Sequence, residues 1–441
     1  MRAVPQERFR AAAMRPARRT EAERARRRWM QAAVPALVCI VLAFHQVLPK
    51  PPATSSDFSP SRGLELLLIG AAVLIAMTLP ARRHALPPVS GWAMGLVLSF
   101  AGWAFITSIW SPLPLTGAVK AIELAAISVV GWRIASSAPG EGEERRRAVS
   151  DAVLRALMFA VAVLIVCNTI AMRNPLPIVT DEEPGFSNEG QRDRLMLGFN
   201  HPLSSAAMLA FGVVFAYDTN LKPASKVAAM GFLGVLLLLC DARGLTAAIP
   251  VGIALGLWFR AKPSLIIAWI GLIAVVAVVG GVALLLAYVD PVTLLIRAFG
   301  EDAVTLNSRA GLWAYVIDIA MQYPLGGVGF FGTRFYILAA FPFAGHAHNS
   351  FLEVFVSTGL PGLALLLGFV GLAIGRLLRS GDPLLAGLMP LVLAEGNLNP
   401  LFFVPAVPMM LFTLALFVAS PREASASSRA PAALRPAAAW R

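Results

Sequence analysis

Long apolar runs recur along this chain and are separated by short polar segments. A transmembrane helix needs about 20 predominantly apolar residues, and runs near that length occur about twelve times here. The pattern predicts an all-α polytopic membrane protein, with about twelve transmembrane helices in a membrane domain over residues 29–420. The predicted spans are residues 30–48, 64–80, 89–110, 115–135, 151–172, 202–218, 225–240, 244–259, 265–288, 352–375, 383–397 and 401–419.

The amino-acid composition agrees with a membrane protein. Hydrophobic residues make up 57% of the 441 positions and charged residues 14%, whereas soluble proteins carry roughly 25% charged residues. The three cysteines, Cys39, Cys167 and Cys240, lie within apolar runs and have no partner at metal or redox spacing. They are therefore predicted to be small core residues.

The net charge of +12 is distributed in the way that is typical of a membrane protein and not of a nucleic-acid-binding protein. Ten arginines fall within residues 1–28, and most other positive residues lie in alternate short loops. Because cytoplasmic segments are enriched in Lys and Arg, both termini are predicted to be cytoplasmic, as a basic arm (1–28) and a tail (421–441) beside anionic membrane lipids. No nucleic-acid partner is expected.

Two longer loops then fall on the outer face, at about residues 173–200 and 290–350. The second loop is rich in aromatic residues and contains a predicted helix over residues 309–322. That helix is expected to begin after a cap at Asn307-Ser308 and to end before Pro324. Its predicted apolar stripe consists of Leu312, Trp313, Val316, Ile317, Ala320 and Met321.

Charged residues inside or beside predicted spans are either paired or functional. Lys120 and Glu123 lie three residues apart on one helix face, which favours a local ion pair. Arg243 and Arg309 lie on the outer side, where positive charge is sparse, and Arg194 is a third candidate there. Each is either a solvated or interfacial arginine or part of a phosphate clamp, because the guanidinium donors match phosphate oxygens.

Arg309 has a further property in this interpretation. It would stand in the first turn of the loop helix, beside free backbone N–H groups that also attract anions.

His346 and His348 lie together just before the tenth predicted span, in Gly345-His346-Ala347-His348-Asn349. Such a pair is either part of a metal site, with Glu353 nearby, or a group that moves a proton, because histidine titrates near physiological pH. No cysteine or carboxylate stands at useful local spacing, so the second role is favoured and no metal is predicted. Asn349 would orient a histidine or bind a sugar hydroxyl.

The segment from Gly327 to Gly332 matches the dinucleotide fingerprint G-x-G-x-x-G. That fingerprint requires a preceding strand and a following helix. Here it follows a helix that ends at a proline in a membrane-protein loop, so a tight turn is predicted instead.

In combination, these segments resemble the bacterial O-antigen ligase and O-antigen polymerase family, which are integral membrane glycosyltransferases of the GT-C class. The interval from Asn349 to Gly359 is similar to the ligase pattern of His-Asn, nine residues and Gly. The later Thr of that pattern is Gly362 here, a departure that weakens an assignment to ligases over polymerases. The resemblance rests on Asp241-Ala242-Arg243-Gly244, Ser308-Arg309 with Trp313, the segment from Pro324 to Gly329, and His346-Ala347-His348-Asn349 with Gly359.

The resemblance implies a glycan donor on undecaprenyl diphosphate and an active site that faces the periplasm from the bacterial inner membrane. The expected acceptor is lipid A-core, as in a ligase; the alternative is another lipid-linked glycan, as in an O-antigen or exopolysaccharide polymerase. His348 corresponds to the family's catalytic histidine, and Arg243 and Arg309 to arginines that bind the leaving diphosphate. The implied reaction inverts the anomeric centre without a metal or other cofactor.

A transporter of polysaccharide or lipid is the alternative from another functional class. Transporters place binding residues near the bilayer midplane on broken helices, often within repeats. The candidates here cluster at the outer helix ends and no sequence repeat is evident, so the pattern favours an enzyme.

Overall fold

The computed structural model describes residues 60–79, 86–181, 192–197, 202–261, 303–341, 344–398 and 407–419, together with residues 267 and 402. The predicted span 30–48, the span 265–288 apart from residue 267, and both terminal arms lie outside this part of the chain. The described residues form twelve α-helices, one 3-10 turn (Ser108–Trp110) and two strands. The helices are α1 Pro60–Met77, α2 Pro88–Thr107, α3 Pro114–Ser137, α4 Gly142–Met172, α5 Pro202–Tyr217, α6 Pro223–Leu239, α7 Arg243–Arg260, α8 Ala303–Gln322, α9 Thr333–Ala340, α10 Ser350–Ser380, α11 Pro383–Leu398 and α12 Val407–Val418.

The helices have the length and apolar character of a membrane protein. Within the described ranges, four are long and apolar enough to cross a bilayer, namely Val89–Trp110, Pro114–Ser137, Gly142–Ile170 and Ser350–Ser380. Five shorter apolar helices accompany them. The prediction of a helical membrane protein is confirmed. The count of twelve spans stays a prediction, because α8 and α9 belong to the predicted outer loop and two predicted spans fall outside the described residues.

The first loop that is predicted to lie on the outer face departs from the all-helical expectation. Strand β1 (Ile178–Asp181) pairs with strand β2 (Arg192–Leu195) in an antiparallel arrangement, with Val179 opposite Arg194. The Asn168 side-chain amide donates to the carbonyl of Met196 over 3.1 Å. This bond ties the chain after β2 to the end of α4.

Helix α4 begins at Gly142, so the predicted start at residue 151 was wrong. Residues 145–147, which were assigned to a loop, lie in its first turns. Arg146 and Arg147 both form ion pairs with Glu143, at i,i+3 and i,i+4 spacing. Such pairs stabilise helical turns in polar sequence, which is why the helix extends beyond its apolar run.

The Lys120–Glu123 pairing within α3 is confirmed. Lys120 Nζ lies 2.7 Å from a carboxylate oxygen of Glu123, whose side chain is fully buried. A buried carboxylate is tolerated when a cation is held against it.

The centre of the bundle is formed by α11 and α12, which are buried along most of their length. Helix α11 packs against α7, and α12 packs against α3 and α2. Aromatic side chains fill the space between α10 and α12, where Phe369 and Phe412 meet edge to face with ring centroids 6.0 Å apart. These contacts fix α10, whose first residue follows residues 345–349, here called the histidine segment.

At the opposite end of α10 from the histidines lies a buried ion cluster, here called the Arg146 cluster: Arg146, Asp218, Asp382, Ser150 and Arg260. Arg146 Nε is 2.9 Å from Asp218 and its Nη1 is 3.3 Å from Asp382. The Ser150 hydroxyl donates to Asp218 over 3.0 Å, and Arg260 approaches the other Asp218 oxygen at 3.5 Å. The cluster joins α4 and α7 to the turns after α5 and α10.

Candidate active site

The histidine segment lies between α9 and α10, and Asn349 fixes where α10 begins. The Asn349 side-chain oxygen accepts from the backbone N–H of Phe351 at 2.9 Å and of Leu352 at 3.1 Å. Asparagine is a strong N-cap because it satisfies donors that the first helical turn leaves unpaired. Asn349 therefore has a structural role beside the predicted functional one. Its amide also approaches Asn397 of α11 at 3.4 Å.

His348 adopts a left-handed backbone conformation, with φ of +49°. Non-glycine residues rarely adopt this region, and strained residues of this kind cluster at functional sites. The backbone N–H of His348 donates to Nδ1 of His346 over 3.2 Å. The two imidazole rings lie with centroids 4.1 Å apart. The structure thus brings both predicted histidines together, each partly buried.

Ala347, between the two histidines, is held on both sides by side chains. The Trp313 indole N–H donates to the Ala347 carbonyl over 2.9 Å. The Ala347 backbone N–H donates to Glu353 Oε2 over 2.8 Å. Ala347 is fully buried, and a buried peptide group needs such partners. Helices α8 and α10 therefore clamp the residue that precedes His348.

Arg334 lies beside this segment and interacts electrostatically with Glu353. A Cβ placed on Gly345 would lie 3.1 Å from Arg334 Nη2, so the guanidinium rests against the histidine segment. Burial lowers the pKa of Arg334, and the carboxylate of Glu353 acts in the opposite direction. Sequence reasoning missed Arg334 altogether. The feature that could have identified Arg334 is its place in a loop predicted to lie on the outer face, where positive charge is uncommon.

A break in α10 fixes the direction of its N-terminal part. Gly359 has φ of +71° and ψ of −170°, so the helix is interrupted there. The backbone groups near the break pair with the chain that follows α8: the Leu360 N–H donates to the Pro324 carbonyl, and the Val328 N–H donates to the Val356 carbonyl, both at 2.8 Å. The N-terminal part of α10, residues 350–358, is thereby joined to the chain that follows α8.

The partner of this break is the segment 324–332, here called the glycine turn. Gly327 and Gly329 have φ of +63° and +93°, so the predicted tight turn is confirmed. A Cβ on Gly327 would lie 2.5 Å from the Ser357 carbonyl carbon, and this close backbone approach explains the glycine. The Trp110 indole N–H donates to the Gly327 carbonyl at 3.2 Å, so the turn is also attached to the 3-10 turn after α2.

The structure accounts for Gly362, which stands where the ligase pattern has Thr. A Cβ at residue 362 would clash with the Thr358 hydroxyl oxygen. That hydroxyl donates to the Val354 carbonyl over 2.7 Å. A threonine side chain from the preceding turn therefore already occupies this space.

Helix α8 differs from its prediction at its start. It begins at Ala303, so Asn307 and Ser308 lie within it and do not cap it. Arg309 consequently stands in the second turn, and the proposed help from free N–H groups of the first turn was wrong. The predicted end before Pro324 is confirmed. Position 309 is one turn before position 313, on the same helix face.

The predicted apolar stripe of α8 is correct for one side only. Leu312, Val316 and Ala320 are buried, and Ile319 joins them. Ile317 and Met321 are 44% and 65% exposed, so these two residues are available to contact lipid or substrate. The buried side faces α10, against which α8 packs.

The remaining arginine candidates occupy separate elements. Arg243 is the first residue of α7 and follows a turn in which Asp241 has a positive φ. Arg194 is partly buried in β2. The side chains of Arg243 and Arg309 lie outside the described part of the chain. The structure therefore brings together His346, His348 and Asn349, while the clamp formed by the arginines stays a prediction.

Comparison with known proteins identifies the segment that contains these elements. Residues 228–367 match the family model described as O-Antigen ligase. The match begins in α6, includes α7, α8, the glycine turn and the histidine segment, and ends within α10.

One curated relative aligns to part of the chain. The "Exopolysaccharide production protein ExoQ" of Rhizobium meliloti (strain 1021) is 39% identical over 137 residues, which cover 28% of this chain and 30% of that protein. The chain therefore aligns with less than a third of the length of this relative. Residues 228–367 of this chain are therefore similar to the O-antigen ligase family and to a protein of exopolysaccharide production.

Proposed function

We propose that this chain is an inner-membrane glycosyltransferase that moves a glycan from undecaprenyl diphosphate to an acceptor hydroxyl on the periplasmic face. The observation that carries the proposal is the held histidine segment at the start of α10, inside the matched family segment. A side chain that takes up a proton must be held in a fixed position relative to its substrate. The hydrogen bonds that Trp313 and Glu353 form with Ala347 provide such a fixed position for His348.

The proposed reaction is a single displacement at the anomeric carbon. The acceptor oxygen forms a bond to that carbon while the bond to the diphosphate oxygen breaks, and the electron pair leaves with the lipid diphosphate. One displacement inverts the anomeric centre. The acceptor proton passes to His348, a transfer that contributes about 10²–10⁴ in rate when a general base is well placed.

Arg243, Arg309 and Arg194 are proposed to bind the diphosphate. The leaving group gains negative charge as the bond breaks, and fixed guanidinium donors stabilise such charge in a site from which water is excluded. Because arginine forks can neutralise a diphosphate, the reaction as proposed requires no divalent metal. Asn349 and His346 support the position of His348 through the cap and the ring contact described above.

The acceptor distinguishes a ligase from a polymerase. Transfer to lipid A-core is the ligase function, and extension of another lipid-linked glycan is the polymerase function. The relative's name refers to exopolysaccharide production, and Gly362 departs from the ligase pattern. Both observations favour the polymerase as the second candidate. Neither of these two observations supports the transporter alternative.

The decisive experiment replaces His348 with Ala in cells that lack the chromosomal copy. Loss of the polymer, with the protein still at normal level in the membrane, is the expected result. Asp318→Asn, at an exposed position on α8 outside the site, is the control. Normal polymer in the His348→Ala strain would overturn the site. The same deletion strain separates the two candidates. Loss of a ligase leaves polymer on the lipid carrier without transfer to lipid A-core, whereas loss of a polymerase leaves only unextended repeat units.

The arginines are tested by conservative replacement. Arg243→Lys and Arg309→Lys each keep the positive charge but lose the planar pair of donors, so both should reduce transfer. Arg379→Lys, at an exposed position near the far end of α10, is the control. Full transfer by both Arg243→Lys and Arg309→Lys would show that the diphosphate binds elsewhere.

A further inference from the structure

Glu353 makes a contact that no other described carboxylate makes: it accepts the backbone N–H of Ala347, directly before His348. The opposite face of Ala347 is held by Trp313 of α8. Because the carbonyl of Ala347 belongs to the same peptide unit as the N–H of His348, these two contacts limit rotation of the backbone on which His348 sits. His348 is thereby retained in its left-handed conformation.

A buried carboxyl group needs hydrogen-bond donors, and the Ala347 N–H is one. Arg334 of α9 is a second support of the segment. Its guanidinium rests against Gly345 and interacts electrostatically with Glu353. One end of the histidine segment thus lies against Arg334, and its middle is bound by Glu353.

We infer that Arg334 and Glu353 are positioning residues for His348. Glu353 binds the segment through the Ala347 N–H, and Arg334 supports the start of the segment by resting against Gly345. Neither residue is assigned contact with substrate. The inference rests on the proposed function insofar as it assigns His348 the role of general base, but the placement of His348 can be measured without any glycan.

The test uses four variants of the full-length protein in detergent. Glu353→Ala removes both the charge and the acceptor, whereas Glu353→Gln keeps an acceptor oxygen. Arg334→Gln removes the positive neighbour, whereas Arg334→Lys keeps it. Asp318→Asn is the control, because Asp318 is an exposed carboxylate on α8.

The first measurement is the rate at which diethyl pyrocarbonate modifies His348, followed by mass spectrometry of the peptide that carries it. Release of the segment should raise this rate severalfold in Glu353→Ala and Arg334→Gln. The rate should stay near wild type in Glu353→Gln, Arg334→Lys and Asp318→Asn. Equal rates in wild type, Glu353→Ala and Arg334→Gln would overturn the inference.

The second measurement is glycan transfer with a lipid-diphosphate-linked glycan from the producing strain. Glu353→Ala should lower kcat by about 10²-fold, the effect of a misplaced reacting group, with KM little changed and substantial rescue in Glu353→Gln. A raised KM with unchanged kcat would instead mean contact with substrate and would contradict a positioning role. If wild type transfers no glycan while the modification rates differ as expected, the proposed function fails and the positioning role stands.

Discussion

Truncation of Arg146 should destabilise the protein more than truncation of its neighbour in sequence. The Arg146 side chain is 5% exposed, and those of Asp218 and Asp382 are 0% and 1% exposed. Arg146→Met would leave two buried carboxylates without their main cation. Removal of one partner of a buried ion pair costs about 3–5 kcal/mol.

The remaining contacts place the expected loss at the lower end of that range. Asp218 keeps the Ser150 hydroxyl and the approach of Arg260. Asp382 keeps the backbone N–H groups of Leu384 and Leu385, which it caps at 3.0 and 3.1 Å. Since these donors offset part of the uncompensated charge, we expect Arg146→Met to lose about 3 kcal/mol.

Arg147→Met is the matched control. Its side chain is 36% exposed and pairs with Glu143 at the surface, an arrangement worth about 0.2–1 kcal/mol. The assay is unfolding in mixed micelles of mild detergent and dodecyl sulfate, followed by tryptophan fluorescence. Equal losses in Arg146→Met and Arg147→Met would refute the reasoning. Addition of Asp218→Asn and Asp382→Asn to Arg146→Met should recover stability, because the buried charges are then absent.

Two further predictions concern the break in α10 and the orientation. Gly359→Ala should cost at least about 2 kcal/mol in the same unfolding assay, because Gly359 has a conformation reserved for glycine and a Cβ there would lie 2.5 Å from the Leu325 carbonyl. The control Gly371→Ala should be neutral or stabilising, since its Cβ would meet no atom within 4 Å. Equal effects of the two variants would contradict this account. In a cysteine-free background, an impermeant maleimide added to intact cells should label Gln322→Cys and not Asn220→Cys, both exposed positions; labelling of Asn220→Cys alone would reverse the orientation.

Features that depend on neighbouring residues were predictable from the sequence. The apolar runs gave most of the described helices within a few residues, apart from the start of α4, since burial in a bilayer selects for such runs directly. The Lys120–Glu123 pair, the end of α8 before Pro324 and the glycine turn follow from local geometry. The start of α8 was wrong because a polar, weakly capped segment contains no signal as strong as a proline.

Features that depend on tertiary contacts were not predictable. Arg146 meets Asp218 and Asp382, which are 72 and 236 residues away along the chain. Arg334 and Glu353 are brought together by the fold of the loop and not by a spacing rule. Sequence periodicity specifies a helix face, whereas these pairs require knowledge of which faces meet.

The hydrogen bonds between the glycine turn and the break in α10 run from backbone to backbone. Such bonds require particular φ and ψ values but no particular side chain, except where glycine supplies the conformation. The outer loop can therefore exchange many of its side chains without displacing the histidine that follows. Its surface side chains can diversify by point substitution while the main chain keeps the geometry of the loop. A loop transplanted between relatives should keep that geometry when Gly327 and Gly359 are carried with it.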